Sequence, residues 1–173
     1  VYKRQVEDRV AYDFLSIILE DKAPYILKKY TIDVAEGGEK AITYRLEFPS
    51  SDKIKYNFIG IYDGDMRERL DTSKLNWKWL FLPGNKALEE LYREYLHVPE
   101  NLEKFCEIVG KEKKQIITML ATIDGNDYHD WFEELRKFLG IDGKMLVRNF
   151  YRIMQEMDKE IEEFIAELKK SIA

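Results

Sequence analysis

Two aspartates in this sequence stand where chemistry is done in many folds. An apolar, β-rich run over residues 55–62 stops at Asp63-Gly64-Asp65, and charged residues able to open a helix follow at once. One residue separates the two carboxylates, so a turn at Gly64, not strand alternation, must aim them at a common point. Paired carboxylates are hard oxygen donors, and the ion they suit is Mg²⁺ or Mn²⁺. Arg67 and Arg69, just beyond, are of the type that contacts phosphate oxygens.

Ordinary roles compete with each of these. Asp-Gly-Asp after a strand also makes a turn or a helix N-cap. Glu7 suits the first turn of a helix, where the helix dipole favours an acid. Glu89 beside Glu90 reads equally as a solvated helix face, and His129 between Asp127 and Asp130 as a helix-start network. His97 and Cys106 have no partners at ligand spacing and are assigned to structure. Trp77 and Trp79 alternate on one run and read as packing.

The surrounding pattern predicts what positions these residues. A helix is expected over residues 9–20, where Val10, Phe14, Ile17 and Ile18 fall at helical spacing before Pro24 limits continuation. Strands are expected over 31–34, 55–62 and 77–82, with helices over 41–48 and 86–96. Strand and helix in alternation predict an α/β domain with a mainly parallel sheet flanked by helices. Functional residues then gather at the carboxyl ends of the strands. Glu7, Gly37-Gly38, Asp63-Gly64-Asp65 and Pro83-Gly84 all fall at such ends.

After Pro99 the pattern turns helical: 99–109, 111–123, 128–139 and one long helix over 144–172, whose apolar stripe is read as packing. The expected division is an α/β domain over 6–98 and an all-helical C-terminal extension over 99–173, packed on it. Residues 1–5 contain no initiator Met and resemble translated adapter read-through, so they are left outside the fold. The chain is then expected to be a fragment whose first strand is truncated.

Composition sets outer bounds. With 173 residues and 45% hydrophobic content, the chain can bury a full core. Its 28 basic and 33 acidic residues give a net charge of −5, which provides no overall basic footprint for nucleic acid. Carboxylate-bound divalent ions can still bridge such a protein to phosphate. The single cysteine excludes an internal disulfide framework and favours a reducing compartment. No apolar stretch approaches the roughly 18 residues of a membrane span and no signal-peptide pattern is present, so a cytoplasmic location without membrane association is expected.

The ordered set of Glu7 before a helix, Gly37-Gly38, residues 58–65 ending in Asp63-Gly64-Asp65, and residues 81–89 with Leu82-Pro83-Gly84 and Glu89 resembles the TOPRIM domain of the OLD (overcoming lysogenization defect) family of ATP-dependent endonucleases. The helical tail around Asp127-Tyr128-His129-Asp130-Trp131 is similar to that family's C-terminal helices. The resemblance implies a TOPRIM/Rossmann-like sheet and Mg²⁺- or Mn²⁺-dependent cleavage of DNA with one or two ions. It also implies an upstream ABC-type ATPase domain, a homo-oligomeric full-length protein and a role in anti-phage defence. By the same resemblance Glu7 is a metal ligand or general base, Asp63 and Asp65 hold the metal, and Glu89 is an additional ligand. Lys144 is a loose candidate for a catalytic lysine. One departure is plain: Ala11 stands where many members carry a second acid, a role that Asp8 is placed to take over.

Other readings stay open at this level: a topoisomerase, primase or RNA-cutting TOPRIM domain, an Asp-x-Asp glycosyltransferase or phosphatase, and a non-catalytic regulatory or assembly module. Spatial convergence of Glu7 with Asp63 and Asp65 supports the TOPRIM readings, and placement of Glu7 at the opposite sheet edge defeats them.

Overall fold

The structure, a computed structural model, describes residues 2–49 and 57–172. Its elements are β1 (Tyr2–Val6), α1 (Arg9–Lys22), α2 (Pro24–Lys29), β2 (Thr31–Val34), α3 (Gly38–Glu47), β3 (Asn57–Tyr62), β4 (Lys78–Phe81), α4 (Leu88–His97), α5 (Pro99–Val109), α6 (Lys113–Ile123), α7 (Tyr128–Leu139), α8 (Gly143–Ile153) and α9 (Asp158–Ile172). Short 3₁₀ turns at Gly64–Arg67 and Thr72–Lys74 join β3 to β4, and a third, Gln155–Met157, precedes α9. The elements form two compact units, Val1–Lys86 with Met157–Ala173, and Ala87–Glu156.

The first unit is α/β. Its four strands are all parallel, in the order β2-β1-β3-β4. The chain moves from β1 to β2 on one side, returns across β1 to β3, and continues outward to β4. Right-handed connections therefore place α1 and α3 on opposite faces of the sheet. They also make the β1/β3 boundary the point where the connections diverge, the place at which open α/β sheets bind their ligands.

Packing follows from the strand alternation. On β3, Ile59 and Ile61 are buried on one face, while Gly60 and Tyr62 belong to the other. A Cβ on Gly60 would stand 2.5 Å from Leu46 Cδ1 and 2.7 Å from Ile42 Cγ2, so the glycine lets α3 lie directly on the strand. Tyr62, Ile42, Leu46, Ala35 and Met66 form one core cluster there, with Trp77, Trp79 and Phe81 packed against it. The Trp77 indole also donates to the Phe48 carbonyl at 2.9 Å. α9 packs on β4 and on α1. Its Glu160 accepts the Gly84 amide at 2.9 Å, and the Ser171 carbonyl near its end accepts from Lys78 at 3.0 Å.

The second unit is helical, built from α4 to α8. Tyr92 and Phe150 stack with ring centroids 4.4 Å apart, Phe105 lies 5.1 Å from Phe150, and Trp131 is fully buried among them. Cys106 is buried in α5, where desolvation raises its thiol pKa and keeps it unreactive. His97 pairs with Asp124 at 3.2 Å.

Several boundaries differ from expectation. Tyr2–Val6 form a central strand paired on both sides, so residues 2–5 belong to the fold from which the sequence reading left them out. The helix expected over 144–172 is two helices. Its apolar stripe serves two cores, Leu146, Val147 and Phe150 in the second unit, and Ile161, Phe164 and Leu168 in the first. Because the 3-4 spacing runs on through Ile153, Met154 and Met157, periodicity gives no sign of the break. The division at 98/99 is displaced accordingly: α4 belongs to the helical unit and α9 to the α/β unit. Residues 55 and 56 of the expected third strand lie outside the described residues. No helix among the described residues is long and apolar enough to cross a membrane.

Candidate functional site

Glu7 is the first residue after β1, and Asp63 the first after β3. The register that pairs Val6 with Ile61 brings these two strand ends side by side. There the Asp63 amide donates to Glu7 Oε1 at 3.0 Å. Beyond β3 the turn is tight: the Met66 amide bonds the Asp63 carbonyl at 3.2 Å. A Cβ on Gly64 would lie 2.4 Å from the Gly84 carbonyl oxygen, so only glycine permits the backbone between the two aspartates to touch the Pro83-Gly84 turn. The Asp63 carboxylate is buried and does not cap the 3₁₀ turn that follows, which sets it apart from an ordinary N-cap aspartate.

Charge at these strand ends is concentrated. The Glu7 carboxyl is pushed up from 4.5 to about 7, chiefly by desolvation. The bond from the Asp63 amide opposes that rise, while the negative charges of Asp65, Glu39 and Asp8 reinforce it. Burial likewise raises the Tyr62 phenol, against the hydrogen bond between its hydroxyl and Thr43 Oγ1 at 2.9 Å; Glu7, Glu47 and Glu39 add to the rise. Asp65 is held by Arg69 at 2.8 Å, and the same guanidinium reaches Glu39 at 3.8 Å.

These residues suit a hard divalent ion in donor type and in charge. Every candidate donor is a carboxylate oxygen, one of them buried, and Asp65 is paired with the Arg69 guanidinium. The donors are not closed on a common point: among the described residues of the first unit, no three acidic, histidine or cysteine side chains bring ligand atoms within 4.8 Å of one another.

The remaining sequence candidates separate. Asp8 caps α1 by accepting the Ala11 amide at 2.8 Å, so it is occupied in holding the helix start. Ala11 itself is fully buried in α1. Arg67, expected to meet phosphate, donates to the carbonyls of Leu82 at 3.1 Å and Gly84 at 3.2 Å, tying the turn after β3 to the turn after β4. Glu89 and Lys144 belong to the second unit. There Glu89, 3% exposed in its side chain, meets His129 Nδ1 at 2.9 Å, so Glu89 is not part of a solvated helix face. Asp127 caps α7 by accepting the His129 and Asp130 amides. Lys144 lies half-buried in the first turn of α8.

Two acids carry no role in the sequence reading, Glu39 beside Glu7 and Asp13 in α1. Glu39 opens α3 directly after β2 and Gly37-Gly38, so the rule that selected the other strand-end acids applies to it as well. Asp13, paired with Arg9 at 3.2 Å and buried in α1, carries no signal beyond helical position. The chain matches no protein-family model, no curated protein and no solved structure.

Proposed function

We propose that the α/β unit is a TOPRIM-type nuclease domain that cleaves phosphodiester bonds in DNA with Mg²⁺ or Mn²⁺ held by Glu7, Asp63 and Asp65. The observation that carries this reading is the 3.0 Å bond from the Asp63 amide to Glu7, at the ends of the two strands where the sheet's connections diverge. A bound dication would acidify water, neutralise charge on the transferring phosphoryl group and stabilise the leaving oxygen.

The protein's own part is positioning and proton handling. Gly64, held on Gly84, fixes the turn that carries both aspartates, and Arg67 locks that turn to the end of β4. Glu7, whose carboxyl is pushed up to about 7 in the ion-free protein, would release its proton to hold the ion. In the same reading the domain acts with an ABC-type ATPase, as part of a homo-oligomer, in the cytoplasm and in defence against phage. The second reading is a non-catalytic assembly module, favoured by the fully buried Ala11 where the family's second acid would stand.

Supercoiled plasmid incubated with the protein, with and without Mg²⁺, separates the two. The nuclease reading expects Mg²⁺-dependent nicking that disappears in Asp63→Ala. Absence of cleavage at any Mg²⁺ concentration, or cleavage unchanged in the variant, rejects it.

A further inference from the structure

In the helical unit α6 packs on α5 and α7. Its inward side is the buried Ile116 and Ile123, with Leu120 half-buried between them. A second stripe runs along the solvent side. Lys114, Ile117, Ala121 and Asp124 follow at spacings of three, four and three residues, which sets all four on one helix face, and all are exposed. Asp124 keeps helical backbone angles as the C-cap, so it continues that face. Ile117 at its centre is 47% exposed, and a groove of about 430 Å³, lined by Thr118, Met119, Thr122 and Phe138 among others, borders the helix.

The charges at the two ends of the stripe oppose the helix they stand on. Lys113 and Lys114 occupy the first turn, where the helix dipole disfavours cations, and Asp124 the C-cap, where it disfavours anions. Against a second α6 running antiparallel, the same charges become favourable. In one register Ile117 faces Ala121 of the second copy, Lys114 faces its Asp124, and Glu112 faces its Asn126 and not a like charge. Each large side chain then meets a small one, and each lysine lies beside the other helix's C-terminus. The pairing maps onto itself when the copies are exchanged, as a two-fold axis requires, and its spacing is that of a coiled-coil seam. His97 Nε2, 3.2 Å from Asp124, orients the carboxylate while leaving it 47% exposed.

We propose that this face of α6 is a self-association surface, on which a second copy of the chain docks its own α6 antiparallel. The proposal concerns the helical unit and does not rest on the reading of the α/β unit. An 11-residue helix is about 16 Å long, so the contact is smaller than a standard interface. The dimer is therefore weak, with a Kd on the order of 100 µM.

Sedimentation of the whole chain, at concentrations about tenfold either side of that value, reads the monomer–dimer equilibrium. Ile117→Glu should weaken association at least about tenfold, because it puts a charge at the centre of the contact. Lys114→Asp and Asp124→Lys should each weaken it about threefold or more, since like charges then face one another at both ends. Mixed in equal amounts, these two variants should associate with each other to within about twofold of the wild type, because one offers only acids along the stripe and the other only bases. Met145→Lys, which alters another exposed apolar side chain of the unit, should change the equilibrium less than about twofold.

A wild type that stays monomeric over the whole range overturns the proposal and leaves the face to a different partner or to solvent. Association that survives Ile117→Glu, or that is lost in Met145→Lys, places the contact on another face and overturns it too. If the mixed charge variants associate no better than either alone, the antiparallel pairing is wrong.

Discussion

Glu7 and Asp63 are 56 positions apart in sequence and joined by one hydrogen bond, Asp63 amide to Glu7 Oε1, at 3.0 Å. The bond puts a side chain from the end of β1 against the backbone at the end of β3. It orients Glu7 and partly offsets the cost of burying its charge, yet the carboxyl is still pushed up to about 7. Glu7 is therefore held in place by its neighbour while its charged form is destabilised by its surroundings.

Glu7→Gln should stabilise the ion-free protein above pH 7. The native chain keeps a proton on Glu7 that the unfolded chain has released, so from pH 4.5 to about 7 this group's contribution to stability falls as pH rises. Glutamine keeps an oxygen for the Asp63 amide and removes the charge. Allowing for partial exposure to water, the gain at pH 8 should be about 1 kcal/mol, and near zero at pH 4.5. Urea unfolding at the two pH values measures it; a loss of stability at pH 8 contradicts the assignment.

Ion binding should strengthen with pH and then level off. A proton on Glu7 competes with the ion, so apparent affinity should rise up to about tenfold per pH unit below about 7 and flatten above it. Mn²⁺ titrations between pH 5.5 and 8.5 give the profile. In Glu7→Gln the residual binding should lose this pH dependence.

Gly64→Ala should disable the site through its backbone. The added methyl would meet the Gly84 carbonyl oxygen at 2.4 Å and its carbon at 2.6 Å, neither of which can rotate away. A destabilisation of about 1–3 kcal/mol is expected, with weakened ion binding, because the turn carrying Asp63 and Asp65 must move. Thermal unfolding and Mn²⁺ titration of the same sample read both effects. Unchanged stability and affinity would show that the contact between the two turns is dispensable.

The end of β3 was legible in the sequence because its hydrophobic run stops at the turn of Asp63-Gly64-Asp65, and the alternation of strands and helices gave the parallel α/β architecture. Glu7 follows a strand that the sequence reading left out, and it was singled out by the resemblance. The role of Arg69 was not legible, because an arginine four residues after Asp65 announces a local ion pair as readily as a phosphate contact, and its link to Glu39 spans 30 positions of chain. The true role of Arg67 was equally hidden: backbone carbonyls are acceptors in every sequence, and only the fold brings those of Leu82 and Gly84 beneath its guanidinium. The break between α8 and α9 escaped because a stripe of constant spacing can serve two cores in succession. β1 (Tyr2–Val6) escaped because its middle, Lys3-Arg4-Gln5, carries no hydrophobic run, and only Tyr2 and Val6 are residue types that favour a strand.

Paramagnetic broadening of backbone amide resonances by substoichiometric Mn²⁺ would locate a divalent ion at the carboxyl ends of β1 and β3 directly. The amides of Glu7, Asp63, Gly64 and Asp65 should broaden first, and Asp63→Asn should abolish the effect. Broadening centred on other residues, or the same pattern in Asp63→Asn, would contradict that placement.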